Sequence, residues 1–311
     1  MYPTTHSPFE RIKVFFSSRQ PLPMLILVNL AVWISILLVS NFAFLFSSPE
    51  AGSDGSYKLH LTNAILNYFA IPANINVLLS KPWTLLTYMF LHTEFFHILF
   101  NMLWLYWFGV IFVQYLSQRQ LLGTYIFGGI AGALLYVAAF NLFPVFDVAR
   151  ESALALGASA SVLAIVVAIS FYVPEYTIHL LLIGPVKIKY IAIFTVILDV
   201  FMISSANAGG HIAHLGGALW GFLWIKMIPG FDPTSIFEPL LNLSKPKTLR
   251  KPKRKFRVHH NDRPMNDDDY NRQKAEKQKR MDAILDKISR SGYDSLTREE
   301  KDLLFSNSNK K

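Results

Sequence analysis

The chain has 311 residues, 52% of them hydrophobic and only 16% charged, and its mean hydropathy is positive, which excludes an ordinary water-soluble globule and points to a bilayer as solvent. Cysteine is absent, which excludes a disulfide framework, thiolate catalysis and a cysteine-based metal site. The net charge of +9 sits entirely in residues 245–311, where 20 Lys or Arg face 11 Asp or Glu; residues 1–244 carry 10 of each.

Hydrocarbon about 30 Å thick needs roughly 20 apolar helical residues to cross it. The apolar runs predict six spans: 24–46, 84–114, 121–143, 159–173, 188–205 and 211–228. The first follows Arg11, Lys13 and Arg19 and superficially imitates a signal peptide, but it is too long for a signal h-region and reads as a retained span. Six crossings put both termini on one side, and the basic residues at both ends make that side the cytoplasm. A bacterial cytoplasmic membrane is the expected location. Residues 1–23 form a cytoplasmic N-terminal segment, 24–229 a six-helix membrane domain, 230–270 a basic juxtamembrane linker and 271–311 a small helical cytoplasmic tail. The fold class is all-α and polytopic. Residues 47–81 read as a folded outer loop, partly embedded in the interface.

Polar residues inside spans are costly and each needs a reason. The second span holds His92, Glu94, His97 and Asn101, the fifth holds Asp199, and His211 and His214 open the sixth. His97 and Asn101 share a helical face. Counted from the inner ends of their spans at 1.5 Å per residue, Ser159 lies about 22 Å up, His97 about 26 Å and His211 about 27 Å. Three polar groups from three helices therefore converge at one level.

Acyl transfer is the chemistry such a set performs. An imidazole takes the proton of the serine hydroxyl and later returns it to the leaving amine. Ser159 and His211 fit these roles, and the first turn of a helix offers Ser159 free N–H groups for an oxyanion. His97 and Asn101 complete that hole. Asp199 reads as lying deeper on another helix, so a dyad is expected. His214 reads as a buried neighbour in the small-residue stripe Ala213, Gly217 and Gly221, which permits close helix packing. No cofactor or metal is called for.

Residues 88–109, YMFLHTEFFHILFNMLWLYWFG, resemble the second span of the rhomboid family of intramembrane serine proteases. Residues 156–161, LGASAS, are similar to its GxSG serine motif, and 210–221, GHIAHLGGALWG, to its histidine-bearing last span. The resemblance implies Ser159 as nucleophile and His211 as base, with His97, Asn101 and the Ser159 N–H binding the oxyanion. It also implies substrates that are membrane proteins with a helix-destabilised transmembrane segment. In this sequence Ala160 replaces the second Gly of GxSG, Leu163 stands where some members have a tyrosine, and Gln114 stands where a Glu often ends the second span. A catalytically silent rhomboid relative that binds transmembrane clients is the alternative, and the intact polar set argues against it. A small transporter would show an internal repeat, which is lacking.

The basic run 245–257 is suited to anionic lipid headgroups, and its lack of interleaved aromatics apart from Phe256 argues against nucleic acid. Beyond it, Met281, Ile284, Leu285 and Ile288 fall at helical spacing. Thr297 and Glu300 then form a capping-box signature before Leu303 and Leu304.

Overall fold

The structure, a computed structural model, describes residues 8–45, 56–180, 183–227, 232–239 and 267–308. It divides into two units, Met1–Pro246 and Lys247–Lys311. In chain order the first unit contains α1 (Pro8–Ser17), α2 (Pro21–Leu45), α3 (Ser56–Phe69), β1 (Ile71–Pro72), α4 (Ile75–Ser80), α5 (Thr84–Thr87) and α6 (Phe95–Tyr115). These are followed by α7 (Gln118–Leu142), α8 (Asp147–Arg150), β2 (Leu154–Ala155), α9 (Ser159–Tyr172), β3 (Thr177–Leu180), β4 (Gly184–Lys187), α10 (Ile188–Phe201) and α11 (Ala208–Met227).

The helices α2, α6 and α7 are long and apolar enough to cross a membrane. At 14 residues, α9 is about 21 Å long, short of the hydrocarbon thickness. Its residues from Ala160 to Ser170 are all buried, so it is clad in protein and has no lipid-facing stripe to match to the bilayer.

Glycine and alanine set how closely the three central helices approach. A Cβ added at Gly217 would lie 2.0 Å from the Ala160 carbonyl oxygen, and one at Gly221 would lie 2.3 Å from that of Ala164. Both partners advance by four residues, so α9 and α11 run in the same direction. Gly132 meets the Ala160 Cβ and Gly128 the Ala164 Cβ, the reverse order, so α7 runs against them. The small-residue stripe read from the sequence is thus the seam of α7, α9 and α11. Gly217→Val is expected to force α9 and α11 apart and to cost about 1–3 kcal/mol or more. Thermal unfolding in detergent checks this, and an unchanged melting temperature would contradict the seam.

Three sequence expectations need correction. The predicted helix over 84–114 is broken: a short α5 and a 3₁₀ turn at Tyr88–Phe90 lead into extended backbone at Leu91 and Glu94 before α6 starts. The Tyr88 carbonyl, which a continuous helix would offer to residue 92, accepts instead from the N–H groups of Leu91 at 3.1 Å and Gly157 at 2.9 Å. The predicted fifth span is shorter as an α-helix, because α10 gives way to a 3₁₀ turn at Met202–Ser204. Strands also exist where none was expected: Ile71 and Pro72 pair antiparallel with Ala155 and Leu154, and β3 pairs with β4. Strands of two residues, or of four as in β3 and β4, are at or below the length that leaves an alternating signature.

The first pairing fastens the connection between α3 and α4 to the segment preceding Ser159. Ala73 N–H donates to the Ala153 carbonyl at 3.0 Å, and the Asn141 amide of α7 reaches the Ala73 carbonyl at 2.7 Å. At the base of the β3–β4 hairpin, Lys187 of β4 and Lys189 of α10 hold the pKa of the exposed Glu175 carboxyl down at about 2.

The second unit contains α12 (Asp267–Ser291) and α13 (Arg298–Ser308). The Thr297–Glu300 capping box forms, with Thr297 N–H donating to Glu300 Oε2 at 2.8 Å and Lys287 paired to the same carboxylate at 2.9 Å. Ile284 and Leu296 are buried in this unit. The basic run 245–257 lies outside the described residues.

Candidate active site

Ser159 is the first residue of α9, and Ala158 before it provides no side-chain cap, leaving the first-turn N–H groups unclaimed by a cap. The approach to the helix turns at Gly157, whose φ of +119° is in the left-handed half of the map. A Cβ there would also lie 2.7 Å from His97 Cε1, and 3.8 Å from Ser159 Oγ, so glycine is required both for backbone shape and to admit the His97 ring.

His97 and Asn101 project from the first two turns of α6. Asn101 Nδ2 donates to the His97 carbonyl at 2.9 Å and approaches His92 Nε2 at 3.4 Å. The same His92 nitrogen accepts from the Ala158 N–H at 3.4 Å. His92 is fully buried, and its ring packs edge-on to His97 with centroids 5.0 Å apart. It links α6 to the α9 N-terminus. The sequence showed it as one more polar residue of the second span without a role; its presence in the loop between the 3₁₀ turn and α6 is what makes it a bridge.

Asp199 does not lie deep. The α-helical part of α10 ends two residues after it, and the turn at 202–207 brings α11 straight back, so Asp199 Oδ1 meets His211 Nδ1 at 2.8 Å and His214 Nδ1 at 2.9 Å. The expectation that no acid reaches these histidines is therefore wrong.

The two histidines differ in position. On a helix at about 100° per residue, His214 lies about 60° from Gly217 and His211 about 120°, and their rises above Gly217 are about 4.5 and 9 Å. Since Gly217 faces Ala160, His214 is the one on the Ser159 side. A cavity of about 1010 Å³ bears this out: its wall includes Ser159, His97, Asn101, Asp199, Gly210 and His214 but not His211. His214 is also within electrostatic range of His97. With Nδ1 turned to Asp199, the other ring nitrogen of His214, Nε2, is the one left for the cavity. Ser159 Oγ makes no hydrogen bond among the described residues, and such contacts are often loose without substrate.

Five of the six groups with chemistry, all but His211, thus share one chamber at a helix N-terminus in a bundle of apolar helices, the arrangement of a helical membrane protein with a buried polar site. Residues 79–230 match the family model described as Rhomboid domain, and residues 266–310 match a family of unknown function, DUF6576. The region 79–230 is thus a rhomboid domain, and the chain is a membrane protein. It is 29% identical over 191 residues to "RHOMBOID-like protein 12, mitochondrial" of Arabidopsis thaliana, an alignment covering 58% of this chain and 56% of that protein. The chain therefore matches just over half the length of that relative.

Proposed function

We propose that the protein is an intramembrane serine endopeptidase that cleaves transmembrane segments of membrane proteins. The observation that carries the proposal is the shared cavity, with Ser159 at a helix N-terminus beside His97, Asn101 and a histidine backed by Asp199. In this reading His214 replaces His211 as the base, for the reasons of azimuth, height and cavity lining given above. Ser159 Oγ attacks the scissile carbonyl carbon while its proton passes to His214 Nε2; the C–N bond then breaks as that proton moves to the leaving amine, and water repeats the cycle to free the acyl group. Asp199 holds the His214 ring by Nδ1 and stabilises the imidazolium that forms. The Ser159 N–H, His97 and Asn101 donate to the oxyanion.

The membrane domain in this proposal crosses six times with both termini in the cytoplasm, and the basic stretch beyond it attracts anionic headgroups. Substrates present small or helix-destabilising residues near the outer face, because a stable helix shields its carbonyls.

A fluorophosphonate probe tests the proposal: it should label the full-length protein in detergent at Ser159 and block cleavage of a single-span substrate. Absence of both labelling and cleavage from folded protein would favour a client-binding role without chemistry. The oxyanion assignment has its own test, since Asn101→Ala should lower kcat by about 10²–10³ with little change in KM. A fall in melting temperature with normal turnover per labelled site would make Asn101 a packing residue.

A further inference from the structure

Asp199, His211 and His214 present three ligand atoms, one carboxylate oxygen and two imidazole nitrogens, all within 4.8 Å of one another. Asp199 is 7% exposed, and among the described residues its ion partners are these two imidazoles. A carboxylate taken out of water needs a positive counterpart, which a bound cation between the three groups supplies. The proposed peptidase uses only His214 of the pair, which leaves His211 on the same oxygen without a task.

The geometry points to a divalent transition-metal site made by Asp199 Oδ1, His211 Nδ1 and His214 Nδ1, suited to Zn²⁺, that silences the proposed peptidase when filled. Two imidazoles and a carboxylate are the donor set that zinc favours, at bonds of about 2.0–2.2 Å. Asp199 Oδ1 now lies 2.8–2.9 Å from each imidazole nitrogen and has to part from them by about half an ångström to reach tetrahedral spacing, while the two nitrogens already lie within 4.8 Å of each other. Magnesium and calcium, which demand oxygen ligands, are poor fits. The bound ion takes the carboxylate from His214 and replaces the imidazolium that turnover requires, so inhibition follows from occupancy. Binding stands on these three side chains alone; inhibition rests on the Ser159–His214 reading.

Full-length, metal-free protein in detergent is titrated with Zn²⁺ calorimetrically and with Co²⁺ as a spectroscopic probe, and Ser159 labelling by a fluorophosphonate is followed in parallel. The expected result is a one-to-one site whose affinity falls at least about tenfold in His211→Gln, with labelling blocked by Zn²⁺, restored by a chelator and unaffected by Mg²⁺. His211→Gln should label at the normal rate without zinc and resist zinc by at least about tenfold. A wild-type protein that takes up no stoichiometric zinc overturns the site, as does one whose affinity is the same in His211→Gln, since the ion then sits elsewhere. Zinc that binds through His211 without slowing labelling overturns the inhibition. If the protein neither labels nor cleaves yet binds zinc through His211, the metal site stands and the peptidase reading falls.

Discussion

Ser159→Ala and His214→Ala are each expected to lower cleavage of a single-span substrate by about 10⁴-fold or more, as removal of a nucleophile or its base does in serine hydrolases, while His211→Ala keeps turnover within a few-fold of wild type. The contrast between the two histidines makes the experiment informative, because they are three residues apart on one helix and both touch Asp199. A general packing defect would lower both variants together and would appear as a lost melting transition. Turnover should therefore be normalised to folded protein. If His211→Ala abolished cleavage while His214→Ala retained it, the azimuth argument built on Gly217 would be wrong and the assignment first read from the sequence would return.

Asp199→Asn should carry the second-largest effect, a fall in kcat of about 10²–10⁴-fold with KM little changed. The upper value is that known for a buried aspartate that fixes the tautomer of a catalytic histidine. A side chain that merely packed α10 against α11 would lower stability and leave kcat per folded molecule intact, and Asp199→Glu would not then restore anything. Partial recovery of kcat in Asp199→Glu is the mark of an orienting carboxylate. Unchanged kcat in Asp199→Asn would instead leave Ser159 and His214 as an unaided dyad.

Much of the membrane domain was legible because its signals are local. A run such as 24–46 is apolar on every face, and the helix that forms there, Pro21–Leu45, differs by a few residues at its N-terminal end. That His97 and Asn101 share a face could be read from their spacing along one helix, and both line the cavity with Ser159. The break at Leu91–Glu94 could not be read, because nothing in 84–114 is a strong helix breaker; the helix yields to a tertiary hydrogen bond from Gly157. His92 became a bridge only through that break.

By itself the sequence determined the solvent, the existence of the apolar helices, the motifs that mark a rhomboid and the seam of small residues, all properties of composition and of neighbours within a few turns. The tertiary structure decided which histidine lines the cavity with Ser159 and whether an acid reaches it. The first depends on how α11 is rotated against α9, set by Gly217 and Gly221 meeting the carbonyls of Ala160 and Ala164. The second depends on where α10 stops. Depth counted along straight helices carries no azimuth and assumes each helix runs to its predicted end, so it set His211 level with Ser159 and Asp199 too deep, whereas packing brings His214 to the cavity wall and Asp199 to both histidines.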